Sequence, residues 1–297
     1  MSLDTPIPLP PEISKEQLER CRQAGDFCPV FFEWYKYVGL LCNFCASIRP
    51  DSPAVRKLPA LHYAVLVGLL NRCTRLMLAN VALSHDGLFG ETTSILDRCI
   101  FESAIKTIWL SIHRDEECFR RFIADGLKTE VEFKTVIGQM ILEHAGEQLE
   151  IESRMLESIN NYIASSGLSE EEIVQSKKLP DLASMIKSIG GNRFLYIAGQ
   201  KMGSHHIHGT WPSLRFHYLD EHDGFLAPRD HDCPTHVNQY AYISIFLIHA
   251  MRAFIEYICP EQEDIEVFTD LFNSIENEIR NLYSEVVGND FEEANQI

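Results

Sequence analysis

The feature that most constrains this chain is a three- and four-residue spacing of apolar side chains that recurs along most of its length. In one stretch the spacing runs through Leu61, Val65, Leu69, Cys73 and Leu76. It places the apolar groups on one face of an α-helix. The two-residue alternation that indicates strands is weak throughout. The sequence therefore predicts an all-α fold, a multi-helix bundle of roughly eight or nine helices.

The domain organisation follows from where the helical spacing begins and ends. Residues 1–12 are rich in proline and predict an extended N-terminal arm. Residues 13–287 predict a single helical domain, because no linker of low complexity and no internal repeat interrupts them. Residues 288–297 predict a flexible acidic tail.

Two helix starts have a pattern of their own. Ser14 is followed three residues later by Gln17, and Ser169 is followed by Glu172. In such a capping box the two side chains bond each other's backbone N–H groups. Each pair therefore predicts the first turn of a helix.

Residues 209–234 lack helical spacing and are rich in Gly, Pro, Asp and His. A segment of this length without regular structure is unusual in a compact domain and is often functional. Its aromatic residues favour order, so we expect one long ordered loop. The apolar helix that follows is expected to be capped by Thr235.

The charge balance limits the function classes. The chain has 43 acidic and 26 basic residues, which give a formal net charge of −17. Affinity for nucleic acid comes mainly from Lys and Arg that neutralise phosphates. A broad face that binds nucleic acid is therefore disfavoured. A small local basic site for RNA or another anion is compatible with the net charge.

Cysteine usage and hydropathy indicate a compartment. The nine cysteines follow no secretory signal, so we expect reduced core thiols in a cytoplasmic protein. The most apolar stretch, residues 240–258, is interrupted by His249, Arg252 and Glu256. These residues are unfavourable in a bilayer, so we expect a buried helix and no membrane contact.

Histidines are concentrated in one segment. Seven of the twelve lie between His205 and His236, and Arg193, Lys201, Arg215 and Arg229 lie among or beside them. Three interpretations are open. The imidazoles bind a metal, fix the segment to the bundle, or perform acid–base chemistry on an anionic ligand.

Arg98 and Glu102 form a second set of candidate residues. They lie four residues apart in an otherwise apolar helical stretch, which predicts a partly buried pair. Such a pair must be matched by hydrogen bonds, because removing its charges from water is costly. It is either an internal ion pair or part of a binding site.

Two stretches carry a family resemblance. Residues 91–103, ETTSILDRCIFES, contain the pattern L-x-R-x-x-x-E, and residues 196–209 contain Gly203-Ser204 and His208-Gly209. Together they resemble the helical bacterial proteins grouped as domain-of-unknown-function family 5677, over about residues 60–260. The resemblance implies no activity. It implies that Arg98 and Glu102 face Ser204 and His208 across two helices.

A more distant resemblance is to HEPN domains, helical bundles that often act as metal-independent ribonucleases in toxin and phage-defence systems. Their motif is an Arg, a polar residue and a His at a helix start, and Arg229-Asp230 followed by His236 fits it. The resemblance implies that Arg229 holds the phosphate and His236 is the base, with help from His205 or His208. It also implies a homodimer and no cofactor.

Two alternatives to a ribonuclease remain. The first is a non-catalytic binding or scaffold protein whose 209–234 segment docks a protein partner. The second is a metal-dependent hydrolase that uses the His-rich segment. The candidate binding residues are Arg98, Glu102, Ser204 and Arg215.

Overall fold

A computed structural model describes residues 6–84, 89–229 and 233–287 of the chain. In these residues eight helices are ten residues or longer, which confirms the all-α prediction. The helices are α1 Lys15–Ala24, α2 Cys28–Ala46, α3 Ala60–Ser84, α4 Gly90–His113, α5 Glu116–Glu143, α6 Glu150–Ser166, α7 Glu170–Gln175, α8 Leu182–Ser188, α9 Arg193–Tyr196, α10 Met202–His208, α11 Trp211–Ser213, α12 Val237–Ile258 and α13 Gln262–Val287. Two π-helical turns, Ile197–Lys201 and Leu214–Tyr218, follow α9 and α11. The predicted tail, 288–297, lies outside the described residues.

Both predicted capping boxes are present. The N–H of Ser14 donates to Gln17 Oε1 at 2.8 Å, and the N–H of Gln17 donates to Ser14 Oγ at 3.1 Å. Ser169 and Glu172 make the same exchange at the start of α7. These helix starts depend on four neighbouring residues only, which is why the sequence predicts them.

The predicted cap of α12 is wrong. His236 is the N-cap, and its Nδ1 accepts the N–H of Asn238 at 3.2 Å. The hydroxyl of Thr235 lies instead 2.9 Å from Thr93 Oγ1 and 3.1 Å from Ser84 Oγ. Thr235 is buried, and these neighbours on α3 and α4 bind the oxygen that the cap would need.

The segment predicted as a long loop contains regular structure over its described residues. After α11 and its π-helical turn, β1 Leu219–His222 pairs antiparallel with β2 Phe225–Pro228. Asp223 and Gly224 connect them with φ angles of 48° and 85°. Two positive φ values are typical of a type I′ turn, for which Asp-Gly is a favoured pair. The hairpin could therefore have been predicted from that dipeptide.

Contacts between Cα atoms divide the chain into two compact units. The first comprises the described residues of 1–58, 63–112 and 182–297. Its core is built around α2 and α12, where the rings of Tyr35 and Tyr240 are 5.4 Å apart. Phe31 of α2 also contacts Tyr283 of α13, with ring centroids 6.3 Å apart.

The second unit comprises residues 59–62 and 113–181. Aliphatic side chains of α5, α6 and α7 form its core, including Ile137, Ile159 and Ile173. His62 stacks on Phe119, with ring centroids 3.9 Å apart. The single domain predicted over 13–287 stays a prediction.

Two helices, α3 and α12, are long and apolar enough to cross a membrane. Core helices of soluble proteins meet the same criteria, and 61% of the most apolar window of α12 is buried inside the protein. His249 and Arg252 of α12 both contact Glu276 of α13, at 3.2 and 3.3 Å. The absence of membrane contact stays a prediction.

A buried carboxylate joins four helices of the first unit. Asp97 of α4 accepts the amide of Asn80 from α3 at 2.6 Å and the amide of Gln239 from α12 at 2.9 Å. The hydroxyl of Tyr35 from α2 lies 3.5 Å from the same carboxylate. Burial raises the pKa of Asp97 to about 7, although these three hydrogen bonds act in the opposite direction.

The raised pKa of Asp97 predicts a pH-dependent stability. An unfolded Asp ionises near pH 4, so the folded state loses stability as pH rises from about 4 to about 7. Asn cannot ionise, so Asp97→Asn removes this loss. Between about pH 4 and pH 7 the free energy of unfolding of the variant should therefore rise by roughly 4 kcal/mol relative to that of wild type. Urea unfolding at successive pH values measures the difference. The exposed variant Asp270→Asn is the control, and parallel curves for Asp97→Asn and wild type would contradict the prediction.

The α9–α10 segment lies against one face of α4 at two glycines. A Cβ at Gly199 would lie 2.4 Å from the ring of Phe101, and a Cβ at Gly203 would lie 2.8 Å from Cβ of Arg98. Because any larger side chain would overlap α4, these glycines set the distance between the helices. Arg98 is thereby brought next to α10.

This close approach predicts the effect of a single methyl group. Gly199→Ala should destabilise the protein by about 1–3 kcal/mol, because the methyl group meets a buried ring. Gly126→Ala in α5 is the matched control, since nothing lies within 4 Å of its Cβ position. The control should gain up to about 1 kcal/mol of helix propensity. Equal melting temperatures for the two variants would show that the contact is not tight.

Candidate functional site

The candidate site lies where α4 faces α10, and its middle is a charged row. Arg98 Nε donates to Ser204 Oγ at 3.1 Å, and Arg98 Nη1 is 3.7 Å from Glu102. Lys106 donates to Glu102 at 2.6 Å. Burial opposes ionisation of Glu102, but Lys106 and Arg98 hold its pKa below the ordinary value. The side chains of Arg98 and Glu102 are partly buried and form an ion pair, as the i, i+4 spacing predicts.

This arrangement brings together the two motifs that carry the family resemblance. Arg98 belongs to the L-x-R-x-x-x-E stretch and Ser204 to the Gly203-Ser204 stretch. Their side chains meet although 106 residues separate them in the chain. His208, the last predicted member, is exposed at the end of α10.

A second cluster surrounds Glu91, two turns before Arg98 on α4. The carboxylate is buried and accepts the hydroxyls of Ser213 and Tyr218, one on each oxygen. His206 Nδ1 lies 3.8 Å from the oxygen that binds Ser213. The rings of His206 and His217 are 5.0 Å apart and inclined at 75°.

The surroundings of His206 favour its neutral form. Burial lowers the pKa of His206, and the neighbouring His217 lowers it further. The carboxylate of Glu91 acts in the opposite direction, because it stabilises the protonated ring. A neutral imidazole accepts a proton, and a carboxylate 3.8 Å away stabilises the imidazolium that results.

No motif in the sequence marks Glu91, His206, His217 or Tyr218 as members of one cluster. Two signals were available. Glu91 begins the stretch that carries the family resemblance, and His206 lies in the densest group of histidines. Spacing alone does not select them, because the contact depends on how α10 and the turn after α11 lie on α4.

The remaining predicted residues have other partners. His205 Nδ1 is 2.6 Å from Thr210 Oγ1, a contact that closes the end of α10. Arg215 donates to the carbonyl of Leu219 at 2.9 Å and lies 3.9 Å from Glu221. Each of these partners lies within six residues of His205 or Arg215 in the chain, so the contacts are local.

Arg229 and His236, the HEPN-like pair, have different partners. Arg229 lies 2.9 Å from Asp220 and donates to Cys233 Sγ at 3.0 Å, so it joins β1 to the chain after the hairpin. His236 caps α12, as described above. Asp230, the polar residue of the motif, lies outside the described residues. The contacts of Arg229 and His236 therefore hold the residue after β2 and the start of α12.

In the parts of the chain that the structure describes, no group of three or more His, Cys, Asp or Glu side chains could hold a metal ion. All nine cysteines are free thiols and six of them are buried, as expected for core residues.

The chain matches one family model. The model is described as a family of unknown function (DUF5677), and it covers residues 63–226, more than half of the chain. The match includes both motifs and the cluster at Glu91. No curated protein and no solved structure matches the chain.

The contact between Glu91 and His206 predicts a change in titration. Glu91→Gln removes the charge that favours imidazolium, so the pKa of His206 should fall further below its ordinary value. NMR titration of the His206 ring measures it, with His206→Gln used for assignment. Glu102→Gln is the control, because about 16 Å of helix separates it from Glu91, more than a Debye length of about 8 Å. An unchanged His206 pKa in Glu91→Gln would show that the two groups do not interact.

Proposed function

We propose that this chain, which belongs to the DUF5677 family of unknown function, is a metal-independent ribonuclease with an acid–base site on α4 and α10. The observation that carries the proposal is His206, whose pKa is lowered and which lies 3.8 Å from the buried carboxylate of Glu91. Such an imidazole is suited to accept a proton near neutral pH.

The proposed reaction needs a base, a cation and an acid. His206 takes the proton of a ribose 2′-hydroxyl, and the 2′-oxygen forms a bond to phosphorus while the bond to the 5′-oxygen breaks. His208 gives a proton to the leaving 5′-oxygen. Arg98 stabilises the charge on the phosphate. Its hydrogen-bond partner Ser204 lies two positions before His206 on α10. The products are a 2′,3′-cyclic phosphate and a 5′-hydroxyl.

The proposed chemistry is that expected of a HEPN-like ribonuclease, but the base is His206 in place of His236. Arg229 and His236 are the pair that the sequence favours, and they remain the competing position for the site. A cytoplasmic homodimer with a defence or toxin role is part of the same proposal, because it comes from the same resemblance.

A second candidate function is binding without catalysis. The observation that favours it is the exposure of large apolar side chains between α9 and β2, including Phe194, Met202, Trp211, Phe216 and Phe225. Exposed apolar patches of this kind mark surfaces that dock a partner. Under this alternative the histidines only fix the segment to the bundle.

Cleavage of a labelled single-stranded RNA tests the proposal. The wild type should cleave with and without EDTA, and an all-deoxy strand should resist because it lacks the attacking hydroxyl. His206→Gln and Arg98→Gln should each lower the rate at least a hundredfold, the usual contribution of such groups. His222→Ala, an exposed histidine of β1, is the matched control and should retain activity.

The double variant Arg229→Ala/His236→Ala decides between the two positions. If it cleaves normally while His206→Gln is inactive and folded, the site is at His206. If the double variant alone is inactive, the base is His236 and the proposed site is wrong. If the wild type cleaves nothing, the ribonuclease proposal fails and the binding protein is favoured.

A further inference from the structure

One segment of this acidic chain has no acidic residue at all. Residues 182–219 contain none of the 43 aspartates and glutamates, where average composition would give about five. They include four basic residues and four histidines: Lys187, Arg193, Lys201, Arg215, His205, His206, His208 and His217. We call residues 182–219 the acid-free segment. It contains α8 to α11 and both π-helical turns.

The acid-free segment has one face on α4 and another in solvent. Gly199 and Gly203 lie against α4, whereas Phe194, Trp211 and Phe216 each expose more than half of their surface. Cations alternate with aromatic residues along this segment. Arg193 precedes Phe194, Arg215 precedes Phe216, and Lys201 Nζ is 5.9 Å from the ring centroid of Tyr196.

Two carboxylates near the acid-free segment have partners outside its cations. Glu91 is buried beneath it and is bound by two hydroxyls. Asp220, which follows the segment directly, lies 2.9 Å from Arg229. The acid-free segment therefore carries cations and no carboxylate of its own on a molecule that is negative overall, and Glu221 of β1 lies 3.9 Å from Arg215.

The charge of this face indicates what can cover it. In a two-fold dimer the same surface meets itself, so the four cations would face four cations. Like charges placed opposite each other disfavour that contact. An anionic partner is favoured instead, and a second copy can associate only through another surface.

We infer that the exposed face of the acid-free segment binds single-stranded RNA. Phosphates would pair with Arg193, Lys201 and Arg215, and unstacked bases would lie on Trp211 and Phe216. Exposed aromatic rings beside cations are the combination that binds single strands with little sequence preference. The exposed rings favour a single strand over a duplex, because the bases of a duplex are already stacked on one another. The inference rests on the proposed function for its substrate class.

Tryptophan fluorescence reports on this face. Trp211 is 60% exposed, whereas Trp34 and Trp109 are 7% and 3% exposed. Titration with a twelve-residue deoxyuridine strand, which cannot be cleaved by 2′-hydroxyl attack, should quench the emission of Trp211. A uridine RNA of equal length, followed by anisotropy with His206→Gln protein, should give a similar affinity. Trp211→Ala should weaken binding at least fivefold, the effect of one lost stacking contact.

Charge substitutions test the same face. Arg193→Gln/Lys201→Gln/Arg215→Gln should weaken binding at least tenfold and lower the slope of log affinity against log salt by about two. A matched triple variant elsewhere, Arg20→Gln/Arg120→Gln/Arg154→Gln, changes the net charge equally and should bind like wild type.

The outcomes separate the inference from the proposed function. Binding at this face without cleavage by wild type supports the inference and defeats the ribonuclease. Cleavage that is unaffected in the first triple variant, or equal binding by the two triple variants, overturns the inference alone. A Trp211 emission that changes with protein concentration, together with a dimer in sedimentation, also overturns it, because a second copy then covers the face.

Discussion

The structure of the first unit depends on the buried carboxylate of Asp97. An Asp without a cationic neighbour is unfavourable in a protein interior unless hydrogen bonds compensate it. Here Tyr35, Asn80 and Gln239 supply them from three other helices, so α2, α3, α4 and α12 meet at one point. The bonds are directional, and they fix the rotation of α4 about its axis as well as its position.

That rotation determines what α4 presents on its other side. Because Asp97 faces the core, Arg98, the next residue of the helix, faces α10. Glu91 and Glu102 lie seven residues before and four residues after Arg98, so they share its side of the helix. The orientation of the polar residues of the candidate site is therefore a consequence of the core network. Gly199 on the π-helical turn and Gly203 on α10 allow these residues to meet their partners.

The close contact at Gly199 and Gly203 also explains the chemistry at Glu91. Bringing α10 within van der Waals distance of α4 places His206 beside a carboxylate and a second histidine, away from most of the solvent. Burial then lowers the pKa of His206 while Glu91 partly compensates. The acid-free segment, which contains His206 and His217, adds cations and no carboxylate to this part of the molecule. The proposed acid–base chemistry and the proposed anion binding thus come from the same short part of the sequence.

The sequence by itself determined the helices, their capping boxes and the pairing of the two family motifs. The helices and capping boxes depend on residues within a few positions of one another. The pairing of the two motifs comes from the family resemblance. Local rules also identify the Asp223-Gly224 turn, although the loop prediction overlooked it. Only the tertiary structure decided that His236, not Thr235, caps α12, because the hydroxyl of Thr235 bonds side chains of two distant helices. It also decided that Glu91 meets His206 and His217, and that Arg229 binds Asp220 and Cys233. The physical reason is that spacing along one helix fixes which residues share a face, whereas the partner of that face is set by how closely two helices approach and how each is rotated.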